Sequence, residues 1–332
     1  MPSLKSRLLY LAIRNRHLLQ FRLKREAWDW TTSIPRFREE CEESARRAKI
    51  PDGVQVSPVA IAGLPEGLSA EWIRPLATVR DPAGNDPAIF YTHGGGYVSG
   101  SCNDHRAFVA KMAKWSGTSA LLFEYRLAPE HPYPAALEDT LAAYRWLLAQ
   151  GVSASRIAMA GESAGGGLCL ATLLALRDLG IPLPAAAVAM SPMTDLKLTG
   201  ESHRTKASVC LSPEGMATVC SRYYVGENDP ALPWISPLYG DLYGLPPILV
   251  YVGENEIWLD DSTRFAAKAQ AAGVDVTLRV GEGMIHGYPL LAPLFPEASQ
   301  AMDEICAFIK THLGRDIEYR SLPPDGYHPE AG

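Results

Sequence analysis

The chain has 332 residues, of which 47% are hydrophobic and 20% charged, which is enough apolar content for one large α/β domain with an accessory segment. Residues 1–50 carry 12 Lys and Arg against 6 Asp and Glu, whereas the remainder carries 19 against 31, so the formal net charge of −6 hides an acidic main body. That charge distribution argues against a nucleic-acid-binding surface, and we expect no nucleic-acid partner.

The first segment, residues 4–25, contains seven basic and no acidic residues, with Leu8, Leu11, Leu18 and Leu19 near helical spacing. We interpret it as a helix packed on its own domain with a solvated basic face; the alternative is a helix that lies on a membrane surface. The apolar run 8–13 is too short for a signal peptide, and no run approaches the roughly 18 residues of a membrane span. The sequence therefore predicts neither secretion nor an integral membrane segment.

From residue 88 onward, short apolar segments alternate with helical patterns. The predicted strands cover residues 88–96, 119–125, 156–162, 185–191, 247–254 and 275–282, and the predicted helices cover 137–149, 164–178, 261–272 and 296–312. Such alternation implies right-handed crossovers and a mostly parallel central sheet flanked by helices on both faces.

Residues 192–235 break the alternation and contain one further helical pattern, "SPEGMATVCSRYYVG", between Pro-bearing loops. We interpret this stretch as an insertion over the carboxyl ends of the strands, where open α/β sheets bind ligands. The resulting division has an N-terminal cap segment (1–50), a catalytic domain in two parts (51–191 and 236–315) and a cap insertion (192–235). The tail, 316–332, is expected to be frayed.

An isolated serine occupies the junction between a predicted strand and a predicted helix, in Gly161-Glu162-Ser163-Ala164-Gly165. This context fits a nucleophile elbow, a turn so sharp that only small residues allow the strand and the helix to pass each other. The five-residue pattern alone is weak evidence, because Gly-rich turns before helices also bind phosphate. A phosphate loop would have a lysine after its glycines, and none follows here.

A second glycine cluster, "HGGGY" at 93–97, follows an earlier strand. Attack on an acyl group places negative charge on the carbonyl oxygen, and preorganised N–H groups stabilise that charge best. We assign the N–H groups of Gly94 and Gly95 as oxyanion donors, with Gly96 as a further candidate and Ala164 as the donor after the nucleophile. His93 is expected to orient the loop instead of acting as a base.

These motifs together resemble the bacterial hormone-sensitive-lipase-like esterases (family IV) of the α/β-hydrolase superfamily. The resemblance extends over roughly residues 70–312 and includes "YRLAPEHPYPAALED" (125–139), "SPMTDL" (191–196), "SPLYGDLYGLPP" (236–247) and "GMIHGY" (283–288). It implies an α/β-hydrolase fold, a serine carboxylesterase activity and a helical cap made from the N-terminal segment and an insertion after a middle strand.

A serine hydroxyl needs a general base that a carboxylate orients, and α/β-hydrolases supply them in the order serine, acid, histidine. His286 follows the last predicted strand, lies between two glycines and matches the family's histidine. Glu256 aligns with the family's usual aspartate and is our candidate acid. Asp260 stays open as the alternative, although helix capping is a sufficient explanation for both Asp260 and Asp261.

The pocket assignments depend on the position of the cap. We expect Tyr97, Leu211, Met216 and Tyr223 to line the pocket and give Glu162, Cys102 and Asp195 supporting roles only. The sequence contains no HExxH, no GxGxxG and no carboxylate–histidine cluster at ligand spacing, so we expect no metal and no organic cofactor. The cysteines are scattered singly, so we expect reduced thiols in a cytoplasmic protein; they are Cys41, Cys102, Cys169, Cys210, Cys220 and Cys306.

The predicted activity is hydrolysis of short-chain carboxylic esters through an acyl-enzyme on Ser163. One alternative is a non-catalytic receptor for small ligands on the same fold, which the presence of both Ser163 and His286 disfavours. An amidase or acyltransferase that uses the same residues is a second alternative, because these reactions share the nucleophile chemistry. The expected partner is a small ester substrate, and a homodimer is a candidate assembly.

Overall fold

The computed structural model describes residues 2–15, 26–77 and 86–314, and its centre is an eight-stranded sheet. The strands are β1 (Val54–Pro58), β2 (Ala70–Pro75), β3 (Ala88–Thr92), β4 (Ser119–Phe123), β5 (Ile157–Glu162), β6 (Ala186–Met190), β7 (Ile248–Gly253) and β8 (Val276–Gly281). Their order is β1-β2-β4-β3-β5-β6-β7-β8; β2 runs antiparallel to β1 and β4, and the pairs from β4 to β8 are parallel.

Helices cover both faces of the sheet. They are α1 (Leu4–Arg14), α2 (Ile34–Ala45), α3 (Cys102–Ser116), α4 (Ala135–Ala149), α5 (Ala164–Asp178), α6 (Ser202–Thr205), α7 (Met216–Val225), α8 (Leu259–Ala271) and α9 (Pro296–His312). One hydrophobic core contains the apolar faces of α4, α5 and α8, and the other contains those of α3 and α9. Adjacent strand residues such as Phe90 and Tyr91 enter opposite cores, as the two-residue period of a strand requires.

The structure confirms the six predicted strands and the four predicted helices, with small changes at their ends. Strand β3, which was predicted to extend to residue 96, ends at Thr92 because the glycines after it form a loop. The sequence patterns did not reveal β1, β2, α2, α3 or the short helix α6. The edge strand β1 is only partly buried, so it lacks the continuous apolar run that identifies a central strand.

The N-terminal helix α1 packs on the domain with one face only. Tyr10 donates its hydroxyl hydrogen to the Val209 carbonyl at 3.0 Å, while Leu4, Leu8 and Leu11 are 70%, 57% and 50% exposed. The outer face thus carries leucines as well as basic residues. The expected continuation through Leu18 and Leu19 and the frayed tail 316–332 lie outside the described residues. Among the described residues, we find no helix with the length and apolarity needed to cross a bilayer.

The insertion and the N-terminal segment contact each other. The N–H of Trp28 donates to the Glu214 carbonyl at 2.7 Å, and Ala27 forms a bridge with the same residue. Helix α7 follows directly at Met216 and lies over the carboxyl ends of the strands, where its side chains reach the cavity described below. Two chain segments that are distant in sequence therefore meet above one end of the sheet.

Candidate active site

Ser163 occupies the turn between β5 and α5. Its φ of 54° and ψ of −122° lie outside the regions that residues other than glycine ordinarily adopt. Its N–H donates to the Met190 carbonyl at 2.8 Å, and its carbonyl accepts from the N–H of Met193 at 3.1 Å. These bonds to the end of β6 and to the loop after it hold the strained turn, which presents Ser163 at the edge of a cavity.

Close backbone contact explains the glycines on either side of Ser163. An ideal Cβ on Gly161 would lie 2.4 Å from the Gly165 carbonyl oxygen, and one on Gly165 would lie 2.1 Å from the Thr92 carbonyl oxygen. Both distances are far inside van der Waals contact. The Thr92 hydroxyl also donates to the Gly165 carbonyl at 2.8 Å. Strand β3, strand β5 and helix α5 are therefore joined backbone to backbone.

His286 and Glu256 form a hydrogen-bonded pair. Nδ1 of His286 lies 2.6 Å from Oε2 of Glu256, which is fully buried. The other carboxylate oxygen, Oε1, accepts from the Ser191 hydroxyl at 2.8 Å and from the Gly253 N–H at 2.5 Å. Because a carboxylate only accepts, the contact assigns the hydrogen to Nδ1 and leaves Nε2 of His286 as a proton acceptor.

Ser191 is a residue of this site that the sequence analysis quoted only within "SPMTDL". Its oxygen also accepts from the N–H of Gly287 at 3.0 Å, so it links the Glu256 carboxylate to the residue that follows His286. A positive φ of 49° aims its side chain, and no sequence pattern specifies that conformation. Spacing alone therefore gave no signal for it.

The neighbouring aspartates bind residues between positions 194 and 203. Oδ2 of Asp260 accepts from the Ser202 N–H at 2.8 Å, and the Ser202 hydroxyl accepts from the Asp260 N–H at 3.0 Å. Asp261 is buried, accepts from the N–H of Thr194 at 2.8 Å and contacts His203 Nε2 at 3.0 Å. Burial raises the pKa of Asp261, although His203 opposes the shift. The expectation that both residues cap their own helix is corrected, because their partners lie in the insertion.

The glycine loop after β3 presents fewer donors than expected. The N–H of Gly94 donates to Oε1 of Glu162 at 2.5 Å, so its assignment as an oxyanion donor is corrected. The N–H groups of Gly95, Gly96 and Ala164 have no acceptor within the described part of the chain. Gly95 and Gly96 border the same cavity as Ser163, and Ala164 is the first residue of α5. These three N–H groups are the available donors.

His93 lies behind this loop, outside the cavity. Its Nδ1 contacts the Gly94 carbonyl at 2.9 Å, and its ring stacks on Tyr125 with the centroids 4.1 Å apart. Burial, together with the charge of His105, lowers the pKa of His93 to about 4. A neutral, fully buried imidazole that holds a loop carbonyl agrees with the expected orienting role.

The cavity has a volume of about 350 Å³ and borders both Ser163 and His286. Its apolar wall includes Met216, Ala217 and Cys220 of α7, Ile257 and Trp258 before α8, and Leu290. Such a small, mainly apolar space with a few polar groups at one end is typical of a site for a small organic molecule.

Three of the four predicted pocket residues lie elsewhere, and only Met216 borders the cavity. Tyr97 is buried and stacks on Tyr224, with ring centroids 3.6 Å apart. Leu211 packs against the core below α3 and α9, and Tyr223 lies beside Trp30 in a separate groove. For Tyr223, the rotation of α7 about its axis decides which side chains face inward, and the sequence pattern left that rotation undetermined. Tyr97 and Leu211 lie in loops outside α7, whose positions the pattern also left open.

Of the residues with expected supporting roles, Glu162, Cys102 and Asp195, only Glu162 borders the cavity. Burial raises the pKa of the Cys102 thiol, which starts α3. Asp195 accepts from Arg264 at 3.0 Å and from Tyr239 at 2.9 Å, so it stabilises the base of the insertion. Across residues 2–15, 26–77 and 86–314, we find no group of three His, Cys, Asp or Glu side chains arranged to hold a metal ion.

Comparison with known proteins places the chain. Residues 89–290 match the model of a family described by the alpha/beta hydrolase fold. An acetyl-hydrolase of Streptomyces hygroscopicus is 40% identical over 252 residues, which cover 75% of this chain and 82% of that protein. An esterase of Acinetobacter venetianus is 38% identical over 257 residues, which cover 77% of this chain and 82% of that protein.

Solved structures agree with these matches. An esterase from the bacterial hormone-sensitive lipase family has a TM-score of 0.83 and 40% identity, and the match covers 95% of this chain and 100% of that chain. EstE5, in crystals soaked with p-nitrophenyl butyrate, has a TM-score of 0.83 and 39% identity, with coverage of 94% and 99%.

The sheet order, the strained serine turn and the cavity at the carboxyl ends of the strands define an enzyme of the α/β-hydrolase class. Within that class, the chain belongs to the hormone-sensitive lipase family of esterases. The resemblance seen in the HGGG and GESAGG motifs is thereby confirmed, and the chain is a carboxylic ester hydrolase.

Proposed function

We propose that this esterase hydrolyses short-chain carboxylic esters through an acyl-enzyme intermediate on Ser163. One observation carries the proposal: Ser163 and His286 border one cavity, and Nδ1 of His286 lies 2.6 Å from the buried Glu256 carboxylate. That arrangement supplies a nucleophile, a base and an orienting acid in the chain order that α/β-hydrolases use.

In the acylation step, Nε2 of His286 removes the proton of the Ser163 hydroxyl as Oγ bonds to the ester carbonyl carbon. The carbonyl oxygen becomes negatively charged and accepts hydrogen bonds from the N–H groups of Gly95, Gly96 and Ala164. Glu256 keeps the imidazole ring oriented and stabilises its protonated form. The carbon–oxygen bond to the alcohol then breaks, and the alcohol leaves with the proton from Nε2.

Deacylation repeats these steps with water. Nε2 of His286 removes a proton from a water molecule whose oxygen bonds to the acyl carbon, and the bond to Ser163 Oγ breaks as that oxygen regains a proton. The products are the carboxylic acid and the free enzyme. The two steps together consume one ester and one water molecule and release one alcohol and one carboxylic acid.

The cap supports the preference for short acyl chains. We propose that the N-terminal segment (1–50) and the insertion (192–235) together form the cap, because Trp28 and Glu214 join them and α7 borders the cavity. About 350 Å³ accommodates a small ester, whereas a long-chain lipid requires the cap to move and to expose apolar surface, at about 25 cal/mol per Å². The cytoplasmic location and the homodimer stay predictions from the sequence.

The proposal is tested with p-nitrophenyl butyrate, the compound soaked into EstE5 crystals, and with a long-chain triglyceride. Wild-type enzyme should release nitrophenol rapidly and hydrolyse the triglyceride far more slowly. Ser163→Ala should be inactive on both. Strong activation of triglyceride hydrolysis by anionic vesicles would instead favour the membrane-surface interpretation of α1, three of whose four leucines are exposed.

A further inference from the structure

A largely buried ionic cluster lies directly behind the glycine loop and the serine turn. Glu162, the residue before Ser163, accepts three hydrogen bonds: Oε1 from the Gly94 N–H at 2.5 Å and from His105 Nε2 at 2.6 Å, and Oε2 from the hydroxyl of Tyr91. Both carboxylate oxygens of Glu162 therefore act as hydrogen-bond acceptors, Oε1 for two donors and Oε2 for one.

The geometry also fixes the charge of His105. Its Nε2 contacts Glu162, and its Nδ1 contacts the carboxylate of Asp104, the acid of the capping box at the start of α3. Carboxylate oxygens only accept, so both ring nitrogens must carry hydrogen and the ring is a cation. Burial alone would lower the pKa of His105, but the charge of Glu162 and the hydrogen bonds to both acids raise it to about 10.

The cluster contacts the reaction centre from one side. Glu162 borders the same cavity as Ser163 and holds the first N–H of the loop whose next two N–H groups are free. An unpaired carboxylate at this place would repel the negative charge that develops on the substrate carbonyl oxygen. The cation beside it offsets that repulsion without weakening the bond to Gly94.

We propose that Glu162 and protonated His105 are positioning residues for the oxyanion hole: the carboxylate orients the glycine loop, and the imidazolium neutralises that carboxylate. The proposal rests on the proposed function, because it takes Gly95, Gly96 and Ala164 as the oxyanion donors. Glu162, the residue before Ser163 in the GxSxG motif, thus helps to stabilise the transition state without contacting the substrate.

The groups that face the pair define its pH dependence. Asp104 faces His105 from α3, Tyr91 faces Glu162 from β3, and His93 lies with its ring centroid 5.2 Å from that of His105. The folded-state pKa of His105 is above its ordinary value, so the ion pair is complete at neutral pH and is lost as the pH rises through about 10. The kcat of the wild-type enzyme should fall over that range while KM stays nearly constant.

A pair of variants separates positioning from simple structural support. His105→Gln leaves Glu162 charged and without its cation, and we expect kcat to fall by about 10²-fold, the scale of a disturbed oxyanion site, with little change in KM. Adding Glu162→Gln removes the unpaired charge but keeps an oxygen for Gly94. The double variant should therefore be more active than His105→Gln alone. His131→Gln, at an exposed histidine, is the matched control and should behave as wild type.

Each outcome of these measurements either supports or overturns the proposal. A double variant that is equally or less active than His105→Gln, or a loss that appears only in KM, overturns the proposal. If His105→Gln fails to fold, as judged by circular dichroism, the wild-type pH profile decides: a constant kcat through pH 10 overturns the proposal. Ser163→Ala is measured in parallel. Activity in that variant would remove the proposed function itself, whereas an inactive Ser163→Ala with a failed double-variant test removes only this inference.

Discussion

The two sides of the cavity differ in what forms them: backbone contacts form the side that we call the floor, and side chains of α7 form the side that we call the roof. In the floor, where β3, β5 and α5 meet, backbones touch so closely that a Cβ on Gly165 would lie 2.1 Å from a carbonyl oxygen. In the roof, helix α7 presents side chains such as Met216 and Ala217 to the cavity. The contrast indicates that backbone geometry fixes the chemistry and that replaceable side chains determine which substrate fits. Substitutions in the two regions should therefore have effects of different size and kind.

The largest effect is expected at the proposed nucleophile and base. Ser163→Ala or His286→Ala should each lower kcat for p-nitrophenyl butyrate by about 10⁴-fold or more, because the members of a triad act as a unit. The double variant should be little worse than either single variant. Steady-state kinetics on the three proteins check this, and a Ser163→Ala enzyme that keeps more than a few percent of the wild-type kcat would refute the assignment.

The next largest effect is expected at Glu256, the proposed acid of the triad. Glu256→Gln should lower kcat by roughly 10⁴-fold, since the amide no longer stabilises protonated His286. Asp260→Asn is the matched control: it weakens one bond to Ser202 and should cost about 1 kcal/mol of folding stability with kcat nearly unchanged. Kinetics combined with denaturant unfolding measure both quantities. The reverse ranking of the two variants would transfer the acid role to Asp260.

A methyl group in the floor should affect folding and activity together. Gly165→Ala places a Cβ against the Thr92 and His93 carbonyls, and relief of that overlap should cost about 1–3 kcal/mol or more of stability and displace the serine turn. Gly180→Ala is the comparison: its φ of 65° also disfavours a side chain, but no atom lies within 4 Å of the new Cβ, so it should lose about 1 kcal/mol and less stability than Gly165→Ala. Equal melting temperatures for the Gly165→Ala and Gly180→Ala proteins would show that the floor is not tightly packed.

The smallest effect is expected in the roof. Ala217→Phe fills part of the cavity and should lower kcat/KM for butyrate relative to acetate esters by about tenfold, as a lost methylene-sized space does in other pockets. Thr218→Phe adds the same ring to the exposed face of α7 and should leave the ratio unchanged. If both variants change the ratio equally, α7 does not set acyl-chain preference through direct contact.

The same contrast explains what the sequence predicted. The strands and the serine turn depend on local spacing, which a sequence displays directly. Glu256 and His286 were assigned with the help of the family resemblance, with Asp260 left open, and the structure places His286 Nδ1 2.6 Å from the Glu256 carboxylate. The direction of the Gly94 N–H depends on Glu162, a residue 68 positions later, and was predicted wrongly. Leu211 and Tyr223 were also expected in the pocket but lie elsewhere: Leu211 precedes α7 and packs against the core, and the rotation of α7, which packing between distant segments decides, places Tyr223 in a separate groove.

The most direct test of the central claim is to identify the residue that becomes covalently modified. Incubation with an alkyl phosphonate ester, which mimics the tetrahedral intermediate, followed by peptide mass spectrometry should place the label on Ser163 alone. His286→Ala should slow the labelling strongly, and Ser163→Ala should abolish it. Labelling of another residue, or labelling of Ser163→Ala at the wild-type rate, would contradict the account.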